Sequence, residues 1–548
     1  MVISRRIAVV GALWCGGLVG AAAIQEQAPS PSTARLQPPA LRFRTADACL
    51  ACHNGLTTSS GEDVSIGADW RGSMMANSSR DPYWQASVRR ETLDHPSARA
   101  EIEDTCATCH MPMARAAAAA HSRLGQVFSH LPVRADSQER DRLAHDGVSC
   151  TICHQISSDR LGTADSFNGG FAINAATGQH AKILGPFAID AGPASVMQSA
   201  TSFQPTEAPH IRNSELCATC HTLYTEALGP KGETVGRLPE QMPFLEWRHS
   251  AYRDEKSCQA CHMPAAPDGT RISSVLGTPR DGMARHSFRG GNFFVLGMLN
   301  RYRRELGVAA QPREIEAAAH RTVALLQTDT ATVSIERAER SGDRLAVDVL
   351  VRNATGHKLP TGYPARRAWL HLAVRDRAGR IIFESGALGP DGRIAGNDND
   401  ADPLRFEPHF AEISRPDQVE IYESIIGDAA GAVTTGLLHG TRYLKDNRLL
   451  PRGFDKASAD EDIAVVGDAR GDADFEGGSD RVRYVVEAAG SEGPYQVEVS
   501  LRFQPIGFRW AQNLERYQSH ETQRFVSYYR AMAGESAMVL ATANVTVR

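Results

Sequence analysis

Beyond its first 23 residues the chain has no spare cysteine, no apolar run of membrane length and no block of lysine or arginine. Each absence excludes a class of protein. Ten of the eleven cysteines fall in five short repeats and the eleventh, Cys15, lies near the N-terminus, so nothing is left over for a disulfide scaffold. The most apolar later stretch, Phe293-Phe294-Val295-Leu296, is far shorter than the roughly 20 residues that cross a bilayer. A formal net charge of −5 without basic blocks argues against a nucleic-acid partner. What remains fits a soluble protein of two or three domains, since 548 residues with 42% hydrophobic content are ordinary for that class.

The N-terminus has its own logic. Arg5 and Arg6 precede an apolar run that ends in Ala21-Ala22-Ala23, the layout of a secretory signal peptide over residues 1–23, and it predicts export to the periplasm with no membrane span after cleavage. The run is short for a retained anchor, and Trp14 stands where a lipoprotein signal at Cys15 would want a small residue. Residues 24–40, with Pro29, Pro31, Pro38 and Pro39, read as a flexible tether.

The five repeats are Cys49-Leu-Ala-Cys52-His53, Cys106-Ala-Thr-Cys109-His110, Cys150-Thr-Ile-Cys153-His154, Cys217-Ala-Thr-Cys220-His221 and Cys258-Gln-Ala-Cys261-His262. Structural zinc, redox dithiols or disulfides also use paired cysteines, but none of them requires a histidine next in line. With histidine at 19 of 548 positions, five such coincidences have a chance of about one in twenty million. Cys-x-x-Cys-His is the attachment signature of c-type haem, in which two thiols bind one porphyrin and the imidazole binds its iron. Five covalent haems are expected, with His53, His110, His154, His221 and His262 as proximal ligands.

The fold class expected is α+β: a loop-rich, partly helical multihaem domain over residues 41–310, a connecting helix over 311–329, and a mainly antiparallel, sandwich-like β domain over 330–548. Between the haem motifs, Gly, Pro, Ser and Asp dominate with little periodicity, and flat apolar cofactors would supply the missing core. A helix is expected from Pro82 to Leu93 with Asp81 as its N-cap, and Ile315, Ala319, Thr322 and Leu326 form a helical stripe. After residue 330 the period becomes two, as in Leu345-Val347-Val349-Val351 and Tyr495-Val497-Val499-Leu501-Phe503. This part contains no cysteine and so binds no covalent haem of its own.

Several stretches resemble the multihaem c-type cytochromes, the superfamily of pentahaem nitrite reductase, octahaem hydroxylamine oxidoreductase and tetrahaem electron carriers, and above all pentahaem members with an appended β domain. They are Cys106 to Met113, Asp146 to His154, Glu246-Trp-Arg-His-Ser250 running into Cys258 to Pro264, His286 to Gly291, and in the β part Thr355 to Gly362 and Lys445 to Pro451. The resemblance implies fold and haem content. It carries one departure: the nitrite reductases typically replace the proximal histidine of their catalytic haem by lysine, whereas all five motifs here end in histidine.

What binds opposite each proximal histidine separates a carrier from a catalyst. By resemblance, His180, His210, His249 and His286 are the first candidates for distal ligands, with His145 after them. Met75, or Met74, is a candidate at the first haem, because Trp70-x-x-Ser73 repeats the framework of Trp247-x-x-Ser250 and relatives often place an iron ligand near it. Both methionines would serve equally as core fillers. His357, in a turn-rich loop, is read as a ligand or docking residue for the haem domain, or as an exposed residue of a loop that Gly and Pro merely fix. Asp398, Asp400 and Asp402 alternate as calcium-binding carboxylates do, but no bidentate glutamate completes an EF-hand, and a solvated acidic turn is the competing reading. The leading expectation is a periplasmic pentahaem electron carrier working with redox partner proteins, more an electron-transfer protein than a catalyst. The alternatives are an oxidoreductase of small nitrogen or sulfur compounds at one open haem, and a binding or structural protein with haem as scaffold.

Overall fold

The computed structural model describes residues 43–133, 139–173 and 181–548; the expected signal peptide, the tether and His180 lie outside them. The described residues all belong to one compact unit. Its N-terminal part is a succession of short helices, loops and three two-stranded sheets, and the repeats sit in or beside helical turns: Asp47–Leu50, Arg99–His110, Cys150–Cys153, Ser214–His221 and Cys258–His262. This placement follows from spacing, because residues i, i+3 and i+4 share one face of a helix, so both thiols and the imidazole project to the same side. Asp81 caps the helix Pro82–Asp94 by accepting hydrogen bonds from the Tyr83 and Trp84 amides, as the sequence predicts.

Helices Phe293–Arg301 and Pro312–Thr328 lead into the β part. Its main strands are β1 (Ala331–Ser341), β2 (Arg344–Asn353), β3 (Arg367–Arg375), β4 (Ile381–Ser385), β5 (Glu412–Ile413), β6 (Ile421–Tyr422), β7 (Ser479–Glu487), β8 (Tyr495–Gln504) and β9 (Met538–Val547). One sheet has the order β4-β3-β8-β9 with β6 beside β3, and the other β5-β7-β2-β1. All these pairings are antiparallel except the short β5–β7 contact. Alternate residues of both sheets, among them Val347, Val349, Leu370, Leu372, Val482, Val497 and Val499, join in one core between them, which makes the part a sandwich. The fold class is thus mixed α+β with antiparallel sheets.

The two parts interlock. Helix His520–Met532, inserted between β8 and β9, packs Phe525, Tyr528 and Tyr529 into a core with Tyr83, Phe294 and Leu299 from the N-terminal part. Arg89 pairs with Glu521 at 2.8 Å, and the Tyr224 hydroxyl donates to Asp462 at 2.5 Å. In contrast to the extensive sandwich core, the buried side chains around the repeats form small separate clusters. No helix among the described residues is long and apolar enough to cross a membrane.

Candidate functional site

The small clusters surround a cavity of about 1840 Å³, larger than the roughly 300–1,000 Å³ of an ordinary ligand pocket. Nine of the ten repeat cysteines and all five repeat histidines line it; the tenth, Cys52, has its carbonyl bound by the amide and hydroxyl of Ser274. The ten cysteines form no disulfide and are all partly exposed, mostly to this interior space.

The histidines sort by which ring nitrogen is held. His53, His110, His154 and His262 each donate Nδ1–H to a backbone carbonyl, of Ile272, Ser78, Leu184 and Arg289 respectively, at 2.5–3.1 Å. A carbonyl can only accept, so the lone pair is on Nε2, the tautomer of a metal-binding imidazole with an oriented ring. Burial lowers His110 and His221 to about 4 and shifts His154 and His262 in the same direction, which keeps these rings uncharged at neutral pH.

Two further imidazoles line the cavity with the same tautomer, His286 through the Ala284 carbonyl at 3.0 Å and His357 through that of Lys358 at 2.9 Å. His286 faces His154 with ring centres 6.2 Å apart and planes 19° from parallel, and His357 faces His262 at 6.3 Å and 15°. Metal–nitrogen bonds of about 2 Å, with each ring centre about 1 Å beyond its nitrogen, put two imidazoles on opposite sides of one metal ion about 6 Å apart. Among the described residues no second imidazole pairs in this way with His53, His110 or His221. Burial, helped by the opposed rings, lowers His286 to about 3 and His357 to about 4.

The other histidines singled out in the sequence are used differently. His145, His210 and His249 do not line the cavity; each donates Nε2–H to a backbone carbonyl, of His130, Ile156 and Asp455 at 2.5, 2.9 and 3.1 Å. Met74 and Met75 both line the cavity. The Trp-x-x-Ser frameworks repeat in space, with each serine hydroxyl donating to its tryptophan carbonyl and each indole N–H donating to the residue two places ahead of a repeat, Val148 or Lys256. The Met75 carbonyl accepts from the Val148 amide, and a Cβ on Gly147, at φ +63°, would lie 2.7 Å from that same oxygen. The methionine segment is therefore docked on the entrance to the third repeat.

The His357 loop is held by a buried charge network. Lys358 pairs with Asp446 at 2.7 Å, Arg448 binds Asp446 at 2.7 Å and Glu246 at 3.0 Å, and Glu246 accepts from the Lys358 amide at 3.1 Å and the Thr361 hydroxyl at 2.5 Å. Glu246 belongs to helix Pro243–Arg248, which carries Trp247, so the network ties the β part to the approach of the fifth repeat.

Three features make the cavity fit haem: thiols and imidazoles on common helix faces, uncharged rings with free Nε2 atoms, and two half-buried arginines. Arg366 is held by the Thr361 carbonyl and Asn292, and Arg289 by the Cys261 carbonyl. No carboxylate among the described residues pairs with either, which suits the acidic edge of a porphyrin. The repeats also touch one another. Cys49 lies side chain to side chain with Cys150, Cys109 with Cys220 and Cys217 with Cys258, and Cys153 is within electrostatic range of Cys217 and Cys220. The fourth repeat is thus the hub.

The carboxylates read as a calcium loop do not converge. Asp400 is bound at two points by Arg367, 2.8 Å each, Asp398 pairs with Arg405, and Asp402 accepts from the Leu404 amide at 2.9 Å. Arginines brought in by the fold take the charges of Asp398 and Asp400, which alternation alone would leave to a cation.

No family model and no curated protein matches the chain. Among solved structures it is similar to a penta-heme cytochrome c552 from Thermochromatium tepidum, with a TM-score of 0.52 and 15% identity over 92% of this chain and 98% of that one. At that identity the likeness speaks for a shared fold.

Proposed function

We propose that the chain is an exported pentahaem c-type cytochrome that transfers electrons. The reading rests chiefly on the opposed imidazole pairs His154–His286 and His262–His357, which would fill both axial positions of two irons. Haem bound here would supply one-electron chemistry between ferric and ferrous iron. The cysteines would tether the groups, the backbone carbonyls on Nδ1 would hold the proximal rings in place, and Arg289 and Arg366 would neutralise propionates. Contacts through the fourth repeat support an order in which the first and third groups lead to the fourth, and the second and fifth adjoin it. Met75 or Met74 remains our candidate at the first iron, and His180 is a candidate for an iron not yet paired. Export rests on the N-terminal signal, and partners would be redox proteins.

A second reading, a reductase at one open haem, draws on the second repeat. Trp84 stacks on His110 at 4.4 Å, and the same cavity wall carries Tyr83, Tyr363, Glu91 and Glu240. Burial raises both glutamates, so they retain protons more readily than exposed ones and could deliver them to a bound substrate. Adding carbon monoxide to the reduced protein, and nitrite or hydroxylamine to the oxidised protein, tests the two readings. The carrier reading expects no stoichiometric carbon monoxide complex and no turnover; one complex per chain with steady turnover would replace it by the reductase.

A further inference from the structure

In the β part, outside the cavity that the repeats line, three potential metal-binding side chains meet. His409 precedes β5, Asp472 precedes β7, and Asp480 is the second residue of β7. The His409 Nε2 lies 3.2 Å from Asp472 Oδ2 and 4.0 Å from Asp480 Oδ1, and one donor atom from each of the three falls within 4.8 Å of the others. Ligands at about 2.0–2.2 Å from one ion stand about 3–3.6 Å apart, so the cluster closes on an ion with shifts of up to about 1 Å.

The second atom of each ligand is already engaged, which leaves the first one aimed inward. His409 Nδ1 faces Glu420 Oε1 at 2.8 Å, the Asp480 Oδ2 accepts from the Tyr422 hydroxyl at 2.6 Å, and the Asp472 Oδ1 accepts from the Asp474 amide at 2.8 Å. Glu420 is itself fixed by the Asn447 side-chain amide at 2.8 Å and the Phe410 amide at 2.5 Å. Carboxylate on Nδ1 and metal on Nε2 is the arrangement by which a second shell orients a ligating histidine.

An independent observation points to a ligand. Asp480 is fully buried, yet its Oδ1 has no hydrogen-bond partner, and neither has the hydroxyl of Tyr484, which is fully buried and within electrostatic range of Glu420 and Asp480. Unsatisfied polar atoms at that depth are costly, and a cation with a coordinated water would satisfy both. Ion pairing of His409 with the carboxylates accounts for Nε2 but, at 4.0 Å, leaves Asp480 Oδ1 without a hydrogen bond.

We propose that His409, Asp472 and Asp480 bind one divalent transition-metal ion of the zinc type, separate from the haem cavity, with Glu420, Tyr422 and Asn447 orienting the ligands. One imidazole nitrogen with two carboxylate oxygens suits zinc and leaves a fourth position for water. Such a site would join the loop before β5 to β7 and the loop ahead of it.

The test uses the haem-loaded protein, stripped with chelator and titrated with zinc chloride alone by calorimetry. One saturable equivalent is expected. Asp472→Asn, a loop change compatible with folding, should weaken binding at least tenfold while the haem spectrum and far-ultraviolet circular dichroism stay unchanged, and Glu420→Gln should weaken it about 10–100-fold. Anomalous diffraction at the zinc edge should then place the ion at His409. The proposal is overturned if the wild-type protein takes up no single saturable equivalent, or if Asp472→Asn binds zinc as tightly as wild type.

Discussion

Asp446→Asn tests whether the buried network behind His357 holds the two parts together. Asp446 serves two cations, Lys358, fully buried, at 2.7 Å and Arg448 at 2.7 and 2.8 Å. Removing its charge leaves Lys358 with the Ala464 carbonyl at 3.2 Å and Arg448 with Glu246. Breaking a buried pair from one side costs about 3–5 kcal/mol, because a charge stays behind in a poorly solvating interior. With an unfolding entropy of about 2.1 cal/mol/K per residue over roughly 500 residues, each kcal/mol moves the midpoint by about 1 °C. The variant should therefore melt about 3–5 °C lower at pH 7, followed by circular dichroism. Adding Lys358→Met should restore part of the loss, since an apolar side chain needs no counter-charge. Burial alone would raise Asp446, but Arg448 and Lys358 overcome it and hold the carboxyl at about 2. With a folded value below the unfolded one of about 3.9, its contribution of about 2–3 kcal/mol is complete above pH 4 and is lost as the pH falls through 2. The variant should lack that part of the acid-induced loss. A midpoint within 1 °C of wild type, with an unchanged acid limb, would refute the role assigned to the network.

Further outcomes follow from the same geometry. Intact-mass measurement of the denatured protein should retain five haems, and release of the cofactor by acid-acetone would contradict covalent attachment. His286→Ala and His357→Ala should each convert one haem to a high-spin form that binds carbon monoxide, whereas His249→Ala, whose Nε2 is held by the Asp455 carbonyl, should leave the spectrum unchanged; the reverse pattern would transfer the ligand role. Replacing Met74 and Met75 together by Leu should lower the highest reduction potential, because thioether sulfur favours ferrous iron, and an unaltered potential would remove both from the first iron.

Local features were legible in the sequence and long-range ones were not. The five repeats declare themselves because thiols and imidazole need only one helical turn to share a face. Likewise the period of two in Leu345 to Val351 and the Asp81 cap are decided within a few residues. The partner of His154 lies at His286 and that of His262 at His357, and such separations leave no trace in spacing. His210 and His249 look equally suitable on paper; only the fold reveals that backbone carbonyls engage their Nε2 atoms. Asp398, Asp400 and Asp402 mislead for the same reason, since Arg367 and Arg405 become neighbours only after folding. His409, Asp472 and Asp480, scattered across three segments, have no signature at all.

The opposed rings also bear on chain topology. His262 and His357 are separated by about 95 residues and belong to different parts of the fold. An iron held between them would act as a cross-link, closing a loop through the Pro312–Thr328 helix and the first two β-strands. In a disulfide a loop of that length is worth about 4–5 kcal/mol through the entropy it removes from the unfolded chain. A coordinate bond is a weaker clasp than a covalent one and can be exchanged, so displacing His357 by an added strong ligand would open the loop and loosen the β-sandwich from the repeats. Occupancy at one iron would then be felt as the mechanical integrity of the whole molecule.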